Sequence, residues 1–155
     1  MHISAKADYA MRALLVLAAA NDDKPMTGET VANAQELPVK FVQNILVDLR
    51  RTGIVASFRG AEGGFKLGRP ADEISVAQVI RAVDGPLADI RGLRPEDTTY
   101  TGAAEHLQEV WVAVRASLRL VLEEVTLADV ASGGLPEVVT TLAGNPDAWA
   151  PRKTR

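Results

Sequence analysis

The strongest constraint on what this chain can fold into is the order of three signals between Thr27 and Leu67. Thr27, with Glu29 and Thr30 behind it, opens a short helix predicted from Gly28 to Gln35, with Val31, Ala32 and Ala34 as its small buried residues. Leu37-Pro38 then closes a tight turn, and Pro38, whose ring presets a helical φ, is expected at the first position of the next helix. That helix should run to about Arg51, before Gly53. Val42, Ile45, Leu46 and Leu49 recur on it at i, i+3, i+4 and i+7 and must share a buried face, which leaves Lys40, Gln43, Asn44, Val47, Arg50 and Arg51 outside. Two β-prone runs follow, Ile54–Phe58 and Phe65–Leu67, joined by Arg59-Gly-Ala-Glu-Gly-Gly64, whose glycines supply the positive φ of a hairpin turn. The loop opens no helix and lacks a Gly-Lys-Ser/Thr ending, so it is not a nucleotide-phosphate loop. A hairpin directly behind a helix-turn-helix is a wing.

The charge of this segment points to what such a surface meets. The chain is acidic, with a formal net charge of −3. Yet within residues 38–69, Lys40, Arg50, Arg51, Arg59, Lys66 and Arg69 face only Asp48 and Glu62, a net of +4. A basic strip on an acidic chain is the footprint of a DNA-contacting module. Amide and basic side chains on the outer helix can bond base edges and phosphates, and Arg59 at the wing tip, with Gly60, Gly63 and Gly64 allowing close backbone approach, suits a narrow minor groove. Ser4, Lys6, Thr27, Arg50 and Arg51 lie at or beside helix ends, where they are expected to meet phosphates and set affinity without choosing sequence.

Ahead of this module, Ile3, Ala7, Ala10, Met11, Leu14, Leu15 and Ala18 fall on one helical face behind the N-cap candidate Ser4. The apolar run Ala13–Ala20 is too short to span a bilayer, and Asp8 argues against a secretory leader, so the segment reads as a helix of a cytoplasmic protein with no membrane partner. With no cysteine there can be no disulfide, thiolate zinc site or cysteine nucleophile. The two histidines, His2 and His106, are far apart in sequence, and no acid–base or nucleophile–base pair stands out. No enzyme, catalytic residue, metal site or cofactor is expected.

Towards the C-terminus, Leu107, Trp111, Val114, Leu118, Val121 and Val125 repeat at spacings of 4, 3, 4, 3 and 4, a heptad seam on a helix predicted from Ala103 to Ala131 and ended by Gly133-Gly134. Val110, Leu120 and Leu122 widen the face enough to pack on its own domain and also meet a second copy. Dimerisation is the favoured use. Trp111 is a candidate pocket residue, although an aromatic within such a stripe belongs more often to the core. The tail from Asn145, with its basic end Arg152-Lys153 and Arg155, is expected to be partly flexible.

Three spaced motifs, Ile3-Ser-x-Lys6-x-x-Tyr9-Ala-x-Arg12-Ala-Leu14, Leu37-Pro-x-x-Phe41-Val-Gln-x-Ile45-Leu-x-x-Leu49 and Gly53-Ile-Val-x-Ser57-x-Arg59-Gly-x-x-Gly63-Gly-Phe-x-Leu67, resemble the Rrf2 family of bacterial repressors over roughly residues 1–132. The resemblance implies a homodimer of winged helices that binds a pseudopalindromic double-stranded DNA operator, with Ser57 among the wing contacts and Gln43 at a recognition-helix position where some relatives carry Glu. Members often hold an iron–sulfur cluster on three cysteines of the loop after the winged helix, with a fourth ligand from the partner's first helix, a position matched here by Asp8. The corresponding loop, Leu87–His106, has no cysteine, so the family's cluster is not expected. Asp8, Arg12, Tyr100, His106 and Trp111 make up a candidate effector pocket instead, for a small molecule or a partner protein. The expected architecture is mainly α with a small β-hairpin: a winged helix-turn-helix over residues 1–84, a sensor-type loop over 85–102, a long C-terminal dimerisation helix over 103–132 and an extension over 133–155. An association module or small-molecule-binding protein without DNA is the alternative.

Overall fold

The computed structural model describes residues 2–20 and 23–152. Residues 1, 21 and 22, and the basic end at residues 153–155, lie outside the described residues. Among the described residues, seven helices and one hairpin follow in order: α1 (Ala5–Ala18), α2 (Gly28–Ala34), α3 (Val39–Arg51), β1 (Val55–Phe58), β2 (Gly64–Leu67), α4 (Val76–Asp84), α5 (Leu107–Leu122), α6 (Leu127–Ser132) and α7 (Glu137–Ala143). Short 3₁₀ turns lie at Ala71–Glu73, Pro95–Asp97, Gly102–Ala104 and Pro146–Ala148.

α1 is the central element, touching α2, α3, α4, α6 and β2. Its buried residues Ala7, Ala10 and Ala13 lack side chains that would hold neighbours off, so helices approach it closely, while Leu14 and Leu17 fill the space beyond. The buried arc therefore shifts from the one read in the sequence. Ile3 precedes the helix and is exposed, and Met11, Leu15 and Ala18 are half-buried. Val31 and Ala32 of α2, Val42, Ile45, Leu46 and Leu49 of α3, Ile54, Val55, Ile74, Val79 and Leu127 complete the core. Each fully buried Leu or Ile contributes roughly 1.5–3 kcal/mol over an exposed one.

The turn between α2 and α3 is made by Glu36 at φ 53° and by Leu37, whose N–H bonds the Ala32 carbonyl at 2.9 Å. Pro38 is the N-cap of α3, one place earlier than expected, with ψ 116° still extended. In the hairpin Val55 pairs with Leu67 and Phe58 with Gly64, so Gly64 belongs to the strand and not to the loop. A third segment joins the sheet: Met26 and Phe65 exchange backbone hydrogen bonds of 2.9 and 2.7 Å.

The single helix expected over 103–131 is two. α5 ends at Leu122, and Thr126 restarts the chain as α6, its hydroxyl accepting from the Asp129 N–H while the Asp129 carboxylate accepts from the Thr126 N–H at 2.8 Å. This reciprocal cap holds the Asp129 carboxyl below its usual range. The break lets the chain return to the start of α4: Thr126 bridges Ser75, the Val125 carbonyl accepts from the Val76 N–H, and the Leu127 N–H donates to the Ile74 carbonyl. Sequence periodicity missed the break because Val125 continues the apolar spacing through it. The signal was Thr126-x-x-Asp129, just as Ser75-x-x-Gln78 marks the capping box of α4, a helix the periodicity reading passed over. The connection from α4 to α5, residues 85–106, carries two of the 3₁₀ turns, and the tail holds α7, packed on α5, with Trp149 Nε1 donating to the Ala143 carbonyl at 2.6 Å.

Candidate nucleic-acid interface

The outer face of α3 is built by the residues its amphipathic period leaves over. Lys40, Gln43 and Asn44 are exposed, and among the described residues none of the three side chains is hydrogen-bonded or ion-paired. Gln43 is also steered. Its Cγ lies 2.8 Å from where a Cβ on Gly28 would be, so the side chain runs over the first residue of α2, and any larger residue at 28 would displace it. Sequence reasoning missed this role for Gly28, since a glycine at a helix start carries no local mark of the side chain crossing it.

The basic residues divide by their partners. Arg50 Nη1 donates to Ser57 Oγ at 3.3 Å, which ties the end of α3 to β1 and joins helix face and hairpin into one surface. Asp48 takes both Lys6, at 3.0 Å, and Arg51, at 3.2 Å, and Lys6 does most to hold its carboxyl below the usual range. Lys66 pairs with Asp23 and sits 5.7 Å over the Phe58 ring. Arg59 is exposed at the end of β1 with no partner among the described residues.

Other expected contacts have uses inside the chain. Ser4 Oγ caps α1 by accepting from the Ala7 N–H at 2.9 Å and donates to Asp84 at 2.5 Å, so its hydroxyl is already engaged. Thr27 Oγ1 caps α2 by accepting from the Thr30 N–H at 3.1 Å and remains exposed. A Cβ on Gly63 would lie 2.4 Å from the Phe58 carbonyl oxygen, and one on Gly64 2.4 Å from that of Met26. Both glycines thus have a folding reason. Gly60, at φ 106°, has open space around it.

The residues assigned to an effector pocket fall into three groups: Asp8 with Arg12, which also reaches Gln35; Trp111, whose Nε1 donates to Tyr100 Oη at 3.1 Å; and His106 beside Glu105 and Glu109. Among the described residues no hydrogen bond or ion pair links the groups. Trp111 lines a cavity of about 630 Å³ with His2, Ser4 and Asp84, a different set from the one expected.

The seam assigned to dimerisation packs in part on its own chain. Leu107, Trp111, Val114, Leu118 and Val121 are half-buried against their own chain, where α5 packs on α4 and the Pro95–Asp97 turn, and Val125 is buried in the break after α5. The neighbouring face is the open one: Val110, Ala113, Ser117 and Leu120, at spacings of 3, 4 and 3, are all exposed. The Ser117 hydroxyl donates back to the Ala113 carbonyl, so the stripe presents no unsatisfied donor.

Among the described residues, no three His, Asp or Glu side chains converge to hold a metal ion, and no helix is long and apolar enough to cross a membrane.

The profile of the Rrf2 family, described as an iron-dependent transcriptional regulator, matches residues 3–133. A Mycobacterium tuberculosis chain carried under the name of a candidate HTH-type transcriptional regulator, Rv1287, is 50% identical over 143 residues, covering 92% of this chain and 89% of its own. The HTH-type transcriptional regulator CymR of Bacillus subtilis is 30% identical over 132 residues, covering 85% of this chain and 91% of its own. The solved structure of B. subtilis CymR, the global cysteine regulator, superposes with a TM-score of 0.73 at 28% identity, over 86% of this chain and 98% of that one.

Proposed function

The chain belongs to the Rrf2 family of transcriptional regulators, and on that premise we propose that it is a cytoplasmic, homodimeric, non-enzymatic repressor that reads a pseudopalindromic operator with α3 and the wing. Being a DNA-binding regulator of the winged helix-turn-helix class comes with the family. The observation that carries the finer reading is the unpartnered set Lys40, Gln43 and Asn44 on α3 beside the exposed Arg59 of the wing. Two such surfaces in a two-fold dimer address half-sites about one helical turn apart. The dimer contact is the open stripe of α5 from Val110 to Leu120, where Ala113 and Ser117 let two helices approach closely.

Gln43 supplies specificity. An amide both donates and accepts, as adenine N6 and N7 require, whereas the Glu of some relatives can only accept, as from cytosine N4. Selection of DNA sequences by the unaltered protein should therefore yield an A·T pair at one symmetric pair of positions. Gln43→Ala should relax the preference there, at a cost of roughly 1–3 kcal/mol per base pair read. Arg51→Ala should weaken all sequences alike and flatten the salt dependence by about one unit for each phosphate it no longer neutralises, while Asp48 keeps Lys6 as its partner. Identical preferences from wild type and Gln43→Ala would remove Gln43 from the reading role. No selected sequence from either would transfer the weight to an association module.

The family's description carries iron dependence, and the donor set here does not fit it: the chain has no thiolate, and no three His, Asp or Glu side chains among the described residues converge to hold a metal ion. No step is assigned to a cluster. Protein purified without oxygen is expected to be colourless, with no stoichiometric iron or acid-labile sulfide. Visible absorption with matching sulfide would overturn this.

A further inference from the structure

We propose that the concavity between the end of α4, the loop after it and α5 binds a small phosphate monoester. Its volume is about 400 Å³, and Arg81 of α4, Arg94 of the loop and Arg119 of α5 line it beside Glu96. With Arg115, which pairs with Glu96, four guanidinium groups stand among two carboxylates, because Arg81 pairs with Glu123. Those two pairs suffice to tie α5 to the loop and to α4. Arg119 reaches Glu123 only at 3.7 Å, and the Arg94 side chain has no hydrogen-bonded or ion-paired partner among the described residues. Two positive charges are thus left over in the half of the chain, residues 70–155, that carries the excess of Asp and Glu.

Both carboxylates favour their charged form. Glu123 is held below the usual carboxylate range chiefly by its bond from Arg81, and Glu96 chiefly by its own backbone N–H, with Arg115 and Arg94 adding to it. A dianion matches the excess. The guanidinium groups come from three segments, which suits oxygens spread over a tetrahedral phosphate, and planar N–H donors pair strongly with such oxygens. Leu87 and Pro86 line the same space and give the organic part of an ester an apolar surface. Arg81 and Arg119 remain partly exposed, so solvent screens the site and the affinity is modest.

The test uses the full chain without DNA, with phenyl phosphate as probe and inorganic phosphate and potassium chloride as comparisons at matched ionic strength. Calorimetry should show phenyl phosphate binding at a single site per chain, more tightly than inorganic phosphate. Arg94→Gln and Arg119→Gln should each weaken it about tenfold, which corresponds to about 1.4 kcal/mol. Absence of binding, undiminished binding by both variants, or thermal stabilisation no greater than chloride gives would each overturn the proposal. So would reduced DNA affinity in Arg94→Gln with phenyl phosphate binding unchanged, which would assign the cluster to the DNA backbone. Because DNA is absent from the binding assay, failure there leaves the operator reading intact.

Discussion

A Leu120→Glu chain is expected to be folded but monomeric, and to bind a selected operator roughly 100- to 10,000-fold more weakly, the factor by which coupling two half-sites multiplies affinity. Leu120 is 59% exposed in the single chain, so the substitution leaves the core untouched. In the proposed dimer it places a carboxylate between two desolvated helices, at a cost on the order of 3 kcal/mol per copy. Leu118→Glu is the contrast. Leu118 is half-buried against its own chain, so the charge should lower thermal stability before it affects assembly. Light scattering and circular dichroism on the two variants separate these cases. A dimeric Leu120→Glu would remove the Val110–Leu120 stripe from the interface.

Gly64→Ala should lower the melting temperature by roughly 6–12 °C, from a cost of about 3 kcal/mol at 2–4 °C per kcal/mol for a chain of this size. Two effects combine. Gly64 has φ 149°, and a Cβ there would lie 2.4 Å from the Met26 oxygen and 2.9 Å from the Thr27 nitrogen. Those atoms are backbone, held by the Met26–Phe65 pair and by the capping of α2, so they cannot move aside without loosening the wing from the helix-turn-helix. Gly60→Ala meets only the strain of φ 106° in open space and should cost about 1–2 kcal/mol. Thermal unfolding of the pair decides it: equal shifts would show that the steric clash with Met26 contributes nothing.

Two glycines have environments that are not local in sequence. Gly64 reads as one of three hairpin glycines, yet its neighbour is Met26, and Gly28 reads as a helix start, yet the side chain crossing it is Gln43. The outer face of α3 was legible because a 3.6-residue period fixes both faces once one is known to be buried. The partners that cross between elements were not, since Lys6 of α1 meets Asp48 of α3 and Arg50 meets Ser57 of β1.

The sequence by itself determined the helix-turn-helix, the wing and the outward placing of Lys40, Gln43 and Asn44. Periodicity, caps and turn residues act over a few positions and need no knowledge of distant chain. Only the tertiary structure decided which face of α5 stays open. The heptad spacing marks an apolar stripe but does not say whether it meets its own chain or another. That choice was made by Thr126 and Asp129, which stop the helix, and by Ser75 and Val76, which pair with the restarted chain and draw Val125 into the core. With its end anchored there, α5 turns the Leu107–Val121 seam inward and leaves Val110, Ala113, Ser117 and Leu120 to solvent.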